Sequence, residues 1–148
     1  MWREIDDLHS VLVPQFFRSA PRSIDEWQRV LSAPHAMVFL DEATTTAAGE
    51  GVGRIITGAV LLRVFDTPAE PQMVPQRRGH IDGLVVLTGH RRRGIGRRLM
   101  DAAAAWARDQ GAEQLVLTVW AGNAAARAFY QSLGYGALSE VLAKPLGG

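Results

Sequence analysis

Val86-Leu87-Thr88-Gly89-His90-Arg91-Arg92-Arg93-Gly94-Ile95-Gly96-Arg97-Arg98-Leu99 is the most informative segment of the chain. An apolar run ends at Leu87, a turn of glycine and arginine follows, and apolar residues then recur at helical spacing. The reading is strand, Gly-x-Gly turn, helix. A helix start presents backbone N–H groups with no internal partner, and the macrodipole adds about half a positive charge there. Glycines let a phosphate approach that backbone. No lysine stands in the turn, so it is not a Walker A loop. Leu99 stands where a dinucleotide Gly-x-Gly-x-x-Gly would need its third glycine. On this segment alone three readings remain: a phosphate cradle, a solvated arginine turn and a nucleic-acid patch. No aromatic residue interleaves the arginines, which disfavours stacking on single strands.

The surrounding composition sharpens the contrast. The 148 residues carry a formal net charge of +1, yet seven arginines (77, 78, 91, 92, 93, 97, 98) fall between positions 77 and 98. The sole acid in that stretch is Asp82. A length near ~150 residues predicts one domain, residues 1–148. The 47% hydrophobic content is enough for a proper core. With no cysteine, a disulfide scaffold, a thiolate metal site and a cysteine nucleophile are excluded. His9, His35, His80 and His90 make no i, i+4 pair, and no metal is expected. Met1 to Asp7 lacks an apolar signal core, and no apolar run nears ~18 residues, so a cytoplasmic protein with no membrane partner is expected.

Hydrophobic periodicity predicts helices over 3–13, stopped by Pro14, and over 24–32, capped by Ser23 with Glu26 in a capping box. Strands are predicted at Met37–Leu40, 54–65, 79–87, Leu115–Trp120 and Ala137–Leu142. Helices are predicted over 95–109, ended by Gly111, and from the cap Asn123 to Leu133, stopped by Gly134. Asp41–Gly53 and Asp66–Gln76 read as loops. The order α-α-β-β-β-α-β-α-β predicts an α/β (α+β) fold with a mixed central sheet and flanking helices.

Two motifs carry a family resemblance. Arg91-Arg92-Arg93-Gly94-Ile95-Gly96 follows a strand and matches Gln/Arg-x-x-Gly-x-Gly/Ala. Asn123-Ala124-Ala125-Ala126-Arg127-Ala128-Phe129-Tyr130-Gln131-Ser132-Leu133-Gly134-Tyr135 matches an Asn…Ala…Phe-Tyr…Leu-Gly-Phe/Tyr signature, at the right separation. Together they resemble the GNAT superfamily of acyl-CoA-dependent N-acyltransferases, well over 54–146 and loosely before that. The family usually opens on a strand before its first helix; here that strand is missing, displaced or truncated. Only 13 residues follow Tyr135, so the family's usual final hairpin is expected to be minimal or reduced to one strand.

The resemblance implies acetyl transfer from acetyl-CoA to an amine, in a sequential reaction without a covalent enzyme intermediate. It implies that Leu84, Val85 and Val86 offer backbone groups to pantetheine, with the Val86 N–H on the thioester oxygen. It places the pyrophosphate over Arg91, Arg92, Arg93, Gly94, Ile95, Gly96 and Arg97, and Asn123 and Ala126 near pantetheine. The side chains of Arg92, Arg93, Arg97 and Arg98 attract the 3′-phosphate or stay solvated. Tyr130 protonates the leaving thiolate. Asp82 and His80, four and six residues before Val86, stand where family members carry a Glu or His base, and alternation puts both on one face. The run Gly79–Val86 resembles glucosamine-6-phosphate acetyltransferases without fixing the substrate. The expected acceptor is a small primary amine, and the expected partners are CoA and that amine, with no nucleic acid. A homodimer fits the family's habit of pairing. The other readings are a peptide N-acetyltransferase and a non-catalytic acyl-CoA-binding module.

Overall fold

A computed structural model of the 148-residue chain describes residues 7, 11, 23–47 and 50–146. The helix expected over 3–13 lies outside them, apart from helical Asp7 and Val11. The elements are α1 (Ile24–Leu31), β1 (Ala36–Ala47), β2 (Glu50–Asp66), β3 (Arg77–Val86), α2 (Ile95–Asp109), β4 (Gln114–Leu117) and α3 (Ala124–Ser132). The class is the expected one: a mixed sheet, order β1-β2-β3-β4, with flanking helices. β1, β2 and β3 run antiparallel in sequence, and β4 joins β3 in parallel. The described residues form two compact units, one up to Thr118 and one from Val119. No helix among them is long and apolar enough to cross a membrane.

Local rules account for most element ends. Ser23 Oγ accepts the Glu26 N–H at 3.2 Å, and Glu26 accepts the Ser23 N–H at 2.6 Å, the reciprocal capping box that starts α1. Gly111, at φ +82°, ends α2. That helix buries Ile95, Leu99, Met100, Ala103 and Ala107, one stripe at helical spacing, against Val60, Leu62, Val64 and Ile81 of the sheet. Gly58 lies under the first turn of α2. A Cβ there would stand 2.8 Å from Ile95 and 3.0 Å from Leu99, so glycine is what lets helix and sheet meet this closely.

Two expectations need correction. The loop predicted over Asp41–Gly53 is, where described, the far half of the β1–β2 ribbon, with Thr44 opposite Arg54 and Thr45 opposite Gly53. β-branched threonines suit a strand, and a polar composition here marks an exposed ribbon, crossed by a Glu42–Arg54 ion pair. The strand predicted at Ala137–Leu142 does not form: residues 135–146 carry neither helix nor strand. Leu138, Val141 and Leu142 are 65%, 92% and 84% exposed, and a strand needs a ladder partner that alternation alone does not supply.

Candidate active site

The site begins at the end of β3. β4 pairs with β3 only from Arg78 to Ile81, opposite Gln114 to Leu117. Beyond Ile81, β3 runs on to Val86 with β2 as its sole ladder partner among the described residues. The register fixes which backbone groups face the open edge. Leu87 donates its N–H to the Thr57 carbonyl at 2.8 Å, so Val85 and Gly83, two and four residues back, also face β2. Val86 and Leu84 therefore face outward. The Val86 carbonyl accepts Nε of Arg91 at 3.0 Å from that side, leaving its N–H on the same edge.

Asp82 is the extra residue of a bulge: Leu61 opposes Gly83 while Leu62 opposes Ile81. Ile81 lies on the face covered by α2 and Asp82 on the opposite face with His80; the bulge resets the alternation beyond them, so that Leu84 and Val86 share the face of Ile81. There Asp82 Oδ1 takes two cations or donors at once, His80 Nδ1 at 2.9 Å and Arg63 Nη2 at 3.2 Å. The side chains of His80 and Asp82 are each 26% exposed, reachable from solvent yet held in place. A carboxylate accepts hydrogen bonds, so the Nδ1 side of the His80 ring is the side turned to Asp82, and Nε2 is the ring nitrogen turned away from it. The expected His80–Asp82 pair is thus present. Arg63 was missed, although a lone arginine inside the run Leu61-Leu62-Arg63-Val64 was its signal.

After Val86 the chain makes a 3₁₀ turn, Thr88–His90, and then the arginine turn. Arg92 stands at φ +63° and Gly94 at φ +76°, so the backbone folds back around Arg93 into a concave nest. A left-handed arginine costs about 1–3 kcal/mol, a strain typical of ligand clamps. Gly94 is the N-cap of α2 and offers no side-chain cap, and the first turn holds no acid. The first helical bond is Arg98 N–H to the Gly94 carbonyl, so the Ile95 and Gly96 N–H groups precede it. Helices usually favour acids here; this one has exposed Arg92, Arg93 and Arg97. The arrangement suits an anion.

Arg98 is otherwise engaged. Nη2 binds Asp41 Oδ1 at 2.7 Å and Nη1 donates to the Arg93 carbonyl at 3.2 Å, so this arginine is not simply solvated. Thr57 Oγ1 donates to Asp41 Oδ2 at 2.6 Å. The Thr57 hydroxyl and the Arg98 guanidinium hold the Asp41 carboxyl below its ordinary range. Asp41 lies in the stretch whose composition predicts a loop and Thr57 in a predicted strand, and neither pattern gives the residue a role.

The second unit holds the other motif. Asn123 Oδ1 accepts the Ala126 N–H at 3.0 Å and so starts α3. The helix stops in a Schellman motif: Tyr135 N–H to the Tyr130 carbonyl at 3.0 Å, Gly134 N–H to the Gln131 carbonyl at 3.0 Å, with Gly134 at φ +88°. The side-chain contact that accompanies such a stop is Tyr130 on Tyr135, rings 5.8 Å apart at 65°. Phe129 meets Tyr130 edge-on at 5.2 Å. The Leu-Gly-Tyr ending is therefore the device that clamps the Tyr130 ring. Burial, with a smaller contribution from Tyr135, pushes the Tyr130 phenol up to about 12.

The acetyltransferase (GNAT) family matches residues 2–135. No curated protein matches the sequence. Similar solved structures include a mutant form of the BH1408 protein from Bacillus halodurans, at 22% identity and TM-score 0.84, covering 98% of this chain and 88% of that one. An aminoglycoside antibiotic 6′-N-acetyltransferase from Acinetobacter haemolyticus matches at 18% identity and TM-score 0.62, over 84% of this chain and 79% of its own. An aminoglycoside N-acetyltransferase in complex with CoA matches at 18% identity and TM-score 0.66, over 97% of this chain and 85% of its own. At such identities the structural likeness is one of fold. The family match spans most of the chain and includes both motifs, the arginine turn and the Asn123–Tyr135 block: this chain belongs to the acetyltransferase (GNAT) family.

Proposed function

We propose that residues 1–148 form one cytoplasmic acetyl-CoA-dependent N-acetyltransferase domain acting on a small primary amine by direct attack. The observation that carries the reading is the continuity of the open β3 edge with the uncapped, arginine-ringed start of α2. An extended thiol arm fits the edge and a pyrophosphate fits the turn. The similar aminoglycoside enzyme has been solved with CoA and with the bisubstrate analogue CoA-S-monomethyl-acetylneamine, which supports both CoA and an amine acceptor.

Acetyl-CoA supplies a thioester whose carbonyl carbon is open to an amine. The N–H groups around Arg91–Arg97 bind its phosphates, and the outward groups of Leu84 and Val86 align the arm. Asn123 and Ala126 bind near it. The Val86 N–H stabilises the developing oxyanion, a role worth about 2.7–4 kcal/mol. A lysine-type amine is mostly protonated at neutral pH. His80 Nε2 takes the proton, directly or through water, while Asp82 and Arg63 hold the ring. Tyr130 keeps its hydrogen and hydrogen-bonds the leaving sulfur, while the proton that the attacking nitrogen sheds on forming the amide passes through solvent to the thiolate, giving free CoA. With the phenol at about 12, full transfer to a thiolate of ~8.5 is uphill by about 5 kcal/mol, so hydrogen bonding rather than early proton transfer is its contribution.

Thiol release over a panel of amino sugars, polyamines, aminoglycosides, amino acids and peptides tests the reading. With an active amine, His80→Gln is expected to lower kcat about 100-fold or more, and Asp82→Asn to lower it less, both with unchanged KM for acetyl-CoA. A kcat untouched in His80→Gln would remove it as base. Activity confined to peptides would replace the small amine with a peptide acceptor.

A further inference from the structure

Arg98 ties the arginine turn to β1, two strands away from the strand that leads into it. It joins the Arg93 carbonyl, inside the turn, to Asp41 on β1. Asp41 is held in turn by Thr57, which is 0% exposed and is the extra residue of the β2 bulge, since Asp41 opposes Gly58 while Glu42 opposes Ile56. The Thr57 carbonyl receives the Leu87 N–H at 2.8 Å. Both ends of the arginine turn are thus fastened to one bulge: the exit from β3 through Leu87 and Thr57, the entry into α2 through Arg98 and Asp41. Gly58, the next residue, lies directly against Ile95 and Leu99 of α2.

We infer that Asp41, Thr57 and Arg98 form a strap that sets the width of the phosphate-binding turn. They are positioning residues for CoA and not its ligands. The inference rests on the proposed binding of CoA phosphates at that turn. The strap's links are a charge-assisted pair and a short hydroxyl–carboxylate bond, the strong class of hydrogen bond, and they end on the Arg93 carbonyl inside the turn. Asp41 also offsets the charge of Arg98, which would otherwise oppose the helix dipole.

The test is calorimetric titration of the full chain with CoA and with 3′-dephospho-CoA, beside steady-state thiol release. Asp41→Asn and Arg98→Lys are expected to weaken both ligands about tenfold and equally. KM for acetyl-CoA should rise with kcat at saturation unchanged. Thr57→Val should act in the same direction. Unchanged affinities in folded variants would overturn the strap. So would an Arg98→Lys defect confined to CoA and absent with the dephospho form, which would make Arg98 a direct 3′-phosphate ligand. If Asp41→Asn fails to fold, the more exposed Arg98→Lys carries the test. A wild-type chain that binds neither ligand would overturn the proposed function and the strap with it; wild-type binding with indifferent variants would overturn the strap alone.

Discussion

Tyr130 shows how a residue's surroundings change its chemistry. An ordinary phenol titrates near ~10. Clamped between Phe129 and Tyr135 and withdrawn from water, this one rises to about 12. The chain has only two tyrosines, so alkaline titration of tyrosinate absorbance in Tyr135→Phe reports Tyr130 alone. Its midpoint should lie well above 10, and a midpoint at or below 10 would contradict the buried phenol. The raised value stabilises the fold fully below the unfolded pKa, and that stabilisation is lost as pH rises through about 12. Asp41 is the opposite case. Its folded pKa is depressed, so its stabilisation is present above 3.8 and is lost as pH falls through the lower folded value. Wild type and Asp41→Asn should therefore differ in melting temperature at neutral pH and converge in strong acid. The motif residues Tyr130, Asn123 and Gly94 were legible in the sequence because their types are demanded locally. Arg63, Asp41 and the second duty of Arg98 were not, because each depends on a partner across the sheet.

The bulges and caps of the elements do the placing. One bulge leaves Asp82 unpaired beside His80 and resets the alternation after it, and another puts Thr57 where it can hold Asp41. Strict alternation predicts the first pairing but not the shift that follows it. A glycine inside a strand commonly marks a bulge, and the unpaired residue here is Asp82, the neighbour of Gly83. Helix limits were legible where a cap declares them, as with Ser23, Asn123, Gly111 and Gly134. Alternation over Ala137–Leu142 does not make a strand, because a strand is a property of two segments. At this scale Gly134→Ala is the sharpest probe. An alanine at φ +88° should cost about 1–2 kcal/mol of stability, read by urea unfolding, and should loosen the Tyr130–Tyr135 contact. A neutral Gly134→Ala would contradict the Schellman stop. Gly58→Ala should destabilise as well, since Ile95 and Leu99 leave no room for a methyl group.

For the whole molecule, the local excess of arginine now divides by task. Arg77 binds Asp66 at 2.9 Å and the Gln110 carbonyl at 2.8 Å, and so fastens the end of β2 to the end of α2. Arg78 is held by Gln76 at 2.6 Å. Arg91 secures the Val86 carbonyl, Arg98 the strap, and Arg92, Arg93 and Arg97 stand exposed around the helix start. Four of the seven arginines are therefore engaged in holding the fold, and three stand exposed at the turn where the proposed CoA phosphates bind. The fold class and family were readable from two motifs; the acceptor was not, because no local motif encodes the shape of an acceptor site. The most direct measurement is mass-spectrometric detection of N-acetylated product after the chain is incubated with acetyl-CoA and the amine panel. The account predicts an acetylated amine formed one-for-one with free CoA, and strongly reduced in His80→Gln and Tyr130→Phe although both still bind CoA. Tight CoA binding with no acetylated product from any amine would contradict it and leave an acyl-CoA-binding module in its place.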